Sequence, residues 1–295
     1  MDINSLINNQ ATKELEKIIN NYLQRTGIFY RLWVRAKKSE SIKRKIEKRH
    51  SKGIADYKIQ DLFGCRIVCY FEEDIPICEK LLCKLFCEIE KDRSIDELDA
   101  ETFKPIRRNY VYHLPEDIIA LLDNEIWNFP VEQTFECQFR SVFSEGWHEV
   151  EHDLRYKSQE IWQDQSVLSR KLNAILATVE TSEWALTQIF EDLAYACYKK
   201  SSWESMVKTK IRIRFKENDS LNPVITNILN ENKTIGKRIL SIDKLQLMIA
   251  LTQTKIPLCM DNILYLSNLL FINDANLLKI TPTFIKEQFD GLKIE

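Results

Sequence analysis

The feature that most constrains the fold is a change of hydrophobic periodicity near residue 160. Before that point, short runs rich in β-branched and aromatic residues, such as "GCRIVCYF" at 64–71, alternate with segments of helical spacing. From about residue 166 onward the spacing is mostly helical, as in "SRKLNAILATVETSEWALTQIFEDLAYACYKK". A chain patterned in this way is expected to form a mixed sheet flanked by helices, followed by a mainly helical part.

Two domains are predicted, residues 1–162 and residues 163–295, because 295 residues suffice for two separate cores. The first is expected to be an α/β (α+β) domain built on one sheet, and the second mainly helical. Only 6 glycines and 7 prolines are present, which favours long helices over tight turns. The predicted helices are 4–27, 39–50, 74–89 and one through 146–157, and the predicted strands are 64–71, 109–114 and 134–140.

The bulk composition narrows the classes of function. The formal net charge is −2, so the chain has no overall attraction to nucleic acid or membranes, and any basic surface has to be local. The N-terminus lacks the charged start and continuous apolar core of a signal peptide, and we expect a cytoplasmic protein without a membrane-spanning helix. The 8 cysteines form no C-x-x-C pair and lie mostly in apolar runs, so we expect reduced, buried thiols.

The stretch "GWHEVEHDLRYK" contains the H-E-x-x-H pattern of zinc peptidases, formed by His148, Glu149 and His152. Two histidines four residues apart on a helix can bind Zn²⁺ while the glutamate polarises the attacking water. A catalytic zinc site needs a third protein ligand, and the other two histidines lie far upstream, which leaves acidic residues downstream as candidates. The pattern is therefore weak, and His152 calls for another interpretation.

A second local pattern is "VKTKIRIRFK" at 207–216, in which apolar and cationic residues alternate. As a strand it would carry five cations on one face. Such a face is either the solvated side of an edge strand or a contact for phosphate or RNA. In the RNA alternative, the contacting residues include Lys208, Lys210, Arg212 and Arg214.

The stretch "TFECQFRS" places polar and apolar residues on opposite faces of a predicted strand. The polar face carries Glu136, Gln138 and Arg140. A second carboxylate, Asp61, stands just before the strand at 64–71. Carboxylates at the ends of two strands commonly hold Mg²⁺ against the phosphates of a nucleotide, because hard oxygen ligands suit a hard cation.

Positive charge for such phosphates is available in "RAKKSESIKRKIEKR", which is rich in Lys and Arg. If a helix begins near Ser39, Ser41 and Lys45 lie one turn apart on one face, with Arg35 and Lys37 at its positively polarised N-terminus. Taken alone, the same run also fits a solvated helix face.

Four blocks taken together resemble the RelA/SpoT-type nucleotide pyrophosphokinases, the synthetase domain that makes the alarmone (p)ppGpp. The blocks are "RAKKSESIKRKI", "IQDLFGCRIVCYFEEDI", "FECQFRSVFSEGW" and "EHDLRYK", in the family's order and approximate spacing. The resemblance implies a nucleotidyltransferase-like sheet and transfer of the β,γ-pyrophosphate of ATP to the 3′-hydroxyl of an acceptor, with Mg²⁺.

The resemblance also implies roles for single residues, and these suit a reaction in which catalysis is mainly positioning and neutralisation of charge. It implies Arg35, Lys37, Ser41, Lys45 and Arg66 for ATP; Asp61 and Glu136 for Mg²⁺; Glu136, Asp61, Gln138, Arg140 and His152 for catalysis; and Lys104, Arg107, Arg108, Tyr112, Tyr156 and Lys157 for the acceptor.

The acceptor region departs from the family pattern. Synthetases that act on GTP or GDP usually carry a "GY.S.H"-type loop whose tyrosine stacks on guanine, whereas this chain reads "TFKPIRRNYVYHLPED" without a glycine. Arg107 and Arg108 stand where Gly and Tyr are expected, and an arginine plane can also stack on a base. Tyr110 or Tyr112 could take the place of that tyrosine after a shift of register.

Three hypotheses of function follow. The first is a (p)ppGpp synthetase acting on GDP or GTP. The second is a toxin-type pyrophosphokinase acting on another acceptor such as a tRNA 3′ end, docked by the cationic segment 207–216. The third is a non-catalytic nucleotide-binding module, against which the presence of both Asp61 and Glu136 counts. The helical domain could serve as an oligomerisation surface, an acceptor-binding module or a regulatory cap, so a homo-oligomer is among the expected assemblies.

Overall fold

The structure is a computed structural model that describes residues 9–51, 58–96 and 108–292. The chain splits into two compact units, residues 1–21 with 30–180, and residues 22–29 with 181–295. The domain boundary predicted after residue 162 stays a prediction, and the packing divides the chain after residue 180.

The first unit is built on a mixed β-sheet. In the described residues this sheet has five strands in the order β1-β2-β5-β4-β3. β2 and β5 are parallel at its centre, and the other neighbours are antiparallel. The strands are β1 Tyr30–Ala36, β2 Phe63–Cys69, β3 Ser94–Ile95, β4 Arg108–His113 and β5 Thr134–Ser141. The predicted fold class is confirmed.

One face of this sheet forms the core of the first unit. In β5 the side chains of Phe135, Cys137 and Phe139 are buried, while the residues between them are half-buried. The ring of Phe135 packs against Phe86 and Tyr112, with centroids 5.0 and 5.3 Å away. Because side chains alternate along a strand, the polar residues between these positions lie on the opposite face.

Helices accompany the strands of the first unit, and α7 carries the chain from the first unit into the second. Their bounds are α1 Asn9–Gln24, α2 Ser39–His50, α3 Ile75–Leu85, α4 Glu116–Ile119, α5 Val142–Val150, α6 Gln159–Trp162 and α7 Ser166–Lys199. The prediction for 39–50 is confirmed over its whole length. The helices predicted at 4–27 and 74–89 are shorter, and positions 4–8 lie outside the described residues.

The second unit is helical, as predicted. Its further helices are α8 Trp203–Ile211, α9 Pro223–Glu231, α10 Lys233–Leu240, α11 Lys244–Gln253, α12 Met260–Ser267, α13 Ala275–Ile280 and α14 Thr283–Asp290. Residues 22–29 belong to this unit because they bond to its backbone: Arg25 Nη2 donates to the carbonyl of Thr254 at 2.8 Å, and the amide of Arg214 donates to the carbonyl of Gly27 at 2.6 Å.

The prediction of a cationic strand at 207–216 is wrong. Residues up to Ile211 continue α8, and Arg212 ends the helix in a left-handed conformation with φ 52°. Lys210 Nζ and Arg212 Nη1 each lie 3.0 Å from the carboxylate of Glu191. The apolar residues of the segment alternate with period two, but Val207 and Ile211 are also four residues apart. Both are buried, as expected for residues on one face of a helix. The array of five cations on one face is therefore absent.

Two other expectations need correction. β1 was not among the predicted strands, although its exposure alternates along "YRLWVRA". The thiols of Cys65, Cys69, Cys78 and Cys137 are buried as expected, but Cys87 is exposed.

Within the described part of the chain, no helix combines the length and the apolar character needed to cross a membrane.

The packing around Gly236 in α10 leads to a stability prediction. A Cβ at this position would lie 2.5 Å from Cζ3 of Trp203 and 3.1 Å from Cδ2 of Tyr198. We expect Gly236→Ala to lower the free energy of unfolding by about 1–3 kcal/mol, because the buried Trp203 has to move. Urea denaturation measures this change.

The matched control is Gly146→Ala in α5, where an added Cβ meets nothing within 4 Å. This variant should be about 0.5–1 kcal/mol more stable, since alanine is the better helix former. Equal effects of the two substitutions would contradict close packing at Gly236.

Candidate active site

The polar face of the sheet carries an open cleft of about 970 Å³. The strand register brings polar side chains of β1, β2 and β5 together there. Two rows cross these strands, Trp33, Arg66 and Gln138 in one and Arg35, Gly64 and Glu136 in the other. The cleft is lined by these residues together with Val34, Ala36, Lys37, Lys38, Ser41, Asp61, Cys65, Glu145 and Glu149. Predicted residues from 35–41 and from 136–138 therefore line one site.

Asp61, just before β2, is the carboxylate on which two lysines converge. Lys37 Nζ donates to Asp61 Oδ2, and Lys45 Nζ lies 3.0 Å from Oδ1. Burial alone would raise the pKa of Asp61, but the hydrogen bond and charge of Lys37, together with the charge of Lys45, outweigh it and lower the pKa. Burial also lowers the pKa of Lys37, which the hydrogen bond to Asp61 partly offsets. Asp61 is therefore ionised at neutral pH, and the two lysines balance its negative charge.

Backbone bonding explains why these groups meet. The amide of Lys37 donates to the carbonyl of Leu62 at 2.9 Å, which holds the end of β1 beside the start of β2. α2 begins two residues later, and Ser41 and Lys45 are four residues apart on it, so they share one face. Ser41 lines the same cleft as Lys37.

Glu136 is held by two amides rather than by a cation. Asn109 Nδ2 donates to its Oε1 at 2.7 Å, and Gln138 Nε2 donates to the same oxygen at 3.2 Å. Among the described hydrogen bonds of this carboxylate, both go to Oε1. The second oxygen, Oε2, is therefore the one that can accept a further proton or bind a cation.

A cluster of two arginines and two glutamates lies farther along the cleft. Arg66 Nη1 is 2.6 Å from Glu145 Oε1 and 2.5 Å from Glu149 Oε1. Arg140 Nη1 lies 2.7 Å from the other oxygen of Glu145. Glu145 and Glu149 are four residues apart in α5, so both can reach Arg66 from one helix face. This cluster holds Arg66 and Arg140 in place beside β2 and β5.

The same cluster contains Glu149, the glutamate of the H-E-x-x-H pattern. Glu149 pairs with Arg66, while His148 is buried and His152 is largely exposed. The α-helix ends at Val150, and His152 lies in the π-helical turn Glu151–Arg155 that follows it. Within residues 9–51, 58–96 and 108–292, no group of three His, Cys, Asp or Glu side chains is placed to hold a metal ion.

The predicted acceptor residues that the structure describes do not line this cleft. Lys104 and Arg107 lie outside the described residues. Arg108 Nη1 lies 3.3 Å from Glu79 Oε1 on α3, and neither residue lines the cleft. The expectation that Tyr112 holds the acceptor needs correction, because its ring is fully buried in the core.

His152, Tyr156 and Lys157 lie on the turns that follow α5. The rings of His152 and Tyr156 stack with centroids 5.7 Å apart, and Lys157 Nζ lies 2.6 Å from Asp153 Oδ1. These side chains are exposed and are not part of the cleft lining. Their catalytic and acceptor-binding roles stay predictions.

Sequence reasoning missed Trp33, Asn109 and Glu145 as parts of the site. Alternation along β1 could have indicated Trp33, since it is two residues from Arg35 on the same strand face. No local signal indicates Asn109, because its role depends on β4 pairing with β5 opposite Gln138.

Several solved structures are similar to this chain. The small alarmone synthetase 1 from Bacillus subtilis bound to its product pppGpp is 23% identical, with a TM-score of 0.45 over 61% of this chain and 91% of that one. A GTP pyrophosphokinase family protein from Streptococcus pneumoniae is 22% identical, with a TM-score of 0.41 over 63% of this chain and 91% of that one. The small alarmone synthetase 2 from Bacillus subtilis is 23% identical, with a TM-score of 0.40 over 60% and 88%.

The family assignment rests on sequence, because TM-scores of this size do not establish a common overall fold. No curated protein matches the chain significantly in sequence. Residues 34–161, however, match the family model of the region found in RelA / SpoT proteins. This segment contains the strands β2 and β5 with Asp61 and Glu136, and residues 34–161 of the chain therefore belong to the RelA/SpoT family.

Proposed function

We propose that this protein is a Mg²⁺-dependent nucleotide pyrophosphokinase that transfers the β,γ-pyrophosphate of ATP to the 3′-hydroxyl of a nucleotide acceptor. The observation that carries the proposal is the cleft in the RelA/SpoT region. There, Asp61 with its two lysines lines the same cleft as Glu136 with its two amides. Pyrophosphoryl transfer depends on such positioned charges, since its transition state spreads negative charge over phosphate oxygens.

The ATP phosphates bind, in this proposal, where Lys37, Ser41 and Lys45 meet. The two lysines are bonded to Asp61 and can exchange this carboxylate for phosphate oxygens. Arg35 adds a further cation at the cleft wall. Charge-assisted hydrogen bonds of this kind orient the triphosphate and neutralise it at the same time.

Asp61 and Glu136 are the residues that would hold Mg²⁺. Both supply carboxylate oxygens, the ligand type that this cation prefers, and both line the cleft. After burial, Asp61 and Lys45, the charge of Glu136 is the weakest named influence on the pKa of Lys37, and it raises that pKa. When bound, Mg²⁺ would supply positive charge to the phosphate oxygens.

Glu136 has a second proposed task, to accept the proton of the acceptor hydroxyl. The hydroxyl oxygen forms a bond to the β-phosphorus of ATP as the bond from this phosphorus to the bridging oxygen of the α-phosphate breaks, and AMP leaves. Asn109 and Gln138 hold Glu136 by Oε1 and so orient Oε2 for the proton. Arg140 lies within 3.4 Å of the Gln138 side-chain oxygen and steadies that amide.

GDP and GTP are the first acceptors proposed, on the basis of the family. The small alarmone synthetase 1 from Bacillus subtilis, which is similar to this chain, was solved with its product pppGpp bound. Part of the acceptor region, including Lys104 and Arg107, lies outside the described residues. The tRNA alternative loses the array that motivated it, because Lys210 and Arg212 are engaged by Glu191.

The direct test is incubation of the purified protein with γ-labelled ATP, Mg²⁺ and either GDP, GTP, other nucleotides or bulk tRNA. We expect label to appear in a guanine nucleotide together with release of AMP. If label is transferred to none of the acceptors, the proposal that the protein is an enzyme is wrong. If label appears in tRNA alone, the acceptor is tRNA and not a guanine nucleotide.

Glu136→Gln should lower the transfer rate by about a hundredfold or more, because the amide can neither accept the proton nor bind the cation as a carboxylate does. The control is Glu116→Gln at an exposed position of α4, which should leave the rate unchanged. Equal rates for Glu136→Gln and the wild type would rule out both roles of Glu136.

Gly64→Val should block the cleft without disturbing the fold. An added Cβ at Gly64 meets only the side chain of Arg35, at 4.0 Å, and valine suits a strand. The larger side chain would occupy space between Arg35 and Glu136, where a ligand approaches bare backbone. We expect the KM for ATP to rise about tenfold, the cost of a lost close contact of about 1.4 kcal/mol, with an unchanged thermal midpoint. If the KM of Gly64→Val for ATP is unchanged, ATP does not bind next to Gly64.

The lowered pKa of Asp61 gives a prediction for stability against pH. The folded protein holds this proton less tightly than the unfolded chain, whose aspartates have a pKa of about 3.9. The contribution of Asp61 is therefore fully present above that value and is lost as the pH falls through the lower folded-state pKa. Urea unfolding measures the free energy of unfolding of the wild type and of Asp61→Asn. As the pH falls toward 3, the wild type should lose more of this free energy than the variant does. A shift in the opposite direction would mean that burial outweighs the lysines.

A further inference from the structure

Trp33 is an exposed aromatic residue inside the cleft. It lies on β1 with 47% of its surface exposed, and it lines the cleft together with Arg35 and Arg66. Its pair in the strand register is Arg66 on β2, so the indole and the guanidinium are neighbours on one sheet face. None of the roles proposed above for donor phosphates, metal or acceptor hydroxyl uses this side chain.

The distance along the strand suits a nucleotide. Trp33 and Lys37 are four residues apart on an extended segment, which corresponds to roughly 13 Å at about 3.3 Å per residue. The base and the terminal phosphates of an extended nucleoside triphosphate are separated by a comparable length. With the phosphates at Lys37 and Lys45, the base of the same molecule therefore reaches the level of Trp33.

The neighbouring charges support an uncharged ring at this position rather than a further phosphate. Arg66 is already engaged by Glu145 and Glu149, so its charge is balanced by carboxylates before any ligand arrives. The two glutamates would repel a phosphate group at this end of the cleft, whereas they would not repel an uncharged base. Glu149, an accidental member of the zinc pattern, thereby helps to keep Arg66 beside Trp33.

We infer that Trp33 stacks on the base of the donor nucleotide, beside Arg66, and gives the cleft a preference for purines over pyrimidines. This inference rests on the proposed function for the identity of the donor and adds a specificity-determining residue to it. Stacking between a base and an aromatic side chain stabilises binding, and a purine offers the larger ring surface.

Binding without turnover tests the inference. The probes are α,β-methylene-ATP, in which the bond to be broken is replaced, the corresponding UTP analogue, and inorganic tripolyphosphate, each titrated calorimetrically with Mg²⁺. Trp33→Ala should weaken binding of the ATP analogue on the order of tenfold and narrow its advantage over the UTP analogue. Tripolyphosphate, which has no base, should bind Trp33→Ala and the wild type equally.

Two further variants serve as controls. Trp33→Phe should retain most of the affinity for the ATP analogue, since it keeps an aromatic face. Trp184→Ala removes another exposed tryptophan, 63% exposed on α7 and not part of the cleft, and should change none of the three affinities.

The outcomes separate this inference from the proposed function. Equal losses for the ATP analogue and tripolyphosphate, or no loss for either, would overturn the role of Trp33. Trp33-dependent binding of the ATP analogue in a protein that transfers no pyrophosphate would keep the base site and end the proposed function. Transfer with an unchanged KM for ATP in Trp33→Ala would keep the proposed function and end the base site.

Discussion

The site depends above all on the parallel pairing of β2 with β5 at the centre of the sheet. This pairing sets Gly64 beside Glu136 and Arg66 beside Gln138, although about seventy residues separate the two strands in sequence. A shift of one residue would turn Glu136 into the core and Phe135 towards the cleft. The buried Phe135 and Phe139 prevent that shift, so the apolar face of β5 fixes the position of its polar face.

The electrostatics of the cleft follow from this geometry. Each strongly engaged cation has a carboxylate partner: Lys37 and Lys45 share Asp61, and Arg66 and Arg140 share Glu145. Half-buried charges are costly to desolvate unless they are paired, and each of these four cations lies against a carboxylate. Glu136 differs, because amides hold it, so its negative charge is available for a proton or a cation.

The polar half of the site was largely predictable from sequence. Arg35, Lys37, Ser41, Lys45 and Asp61 lie within short segments whose order and spacing resemble the family. The structure brings four of them into one cleft with Glu136, and Lys45 contacts Asp61 there. Trp33 and Asn109 were not predicted, because each belongs to the site through pairing with a distant strand. Tyr112 was misplaced for the same reason, since its strand phase turns it to the core.

Hydrophobic periodicity by itself determined that a mixed sheet with helices precedes a helical region, because burial of apolar side chains requires a matching period in either element. Periodicity favoured a strand for segment 207–216, although Val207 and Ile211 also share one helical face, and the helix that the structure has there ends at Ile211. Only tertiary packing resolved it, by burying Val207 and Ile211 together and pairing Lys210 and Arg212 with Glu191. Likewise, the sequence determined which chemical groups are available for the cleft. Which of them lie next to one another depends on the register of the strands, which only the tertiary structure determined.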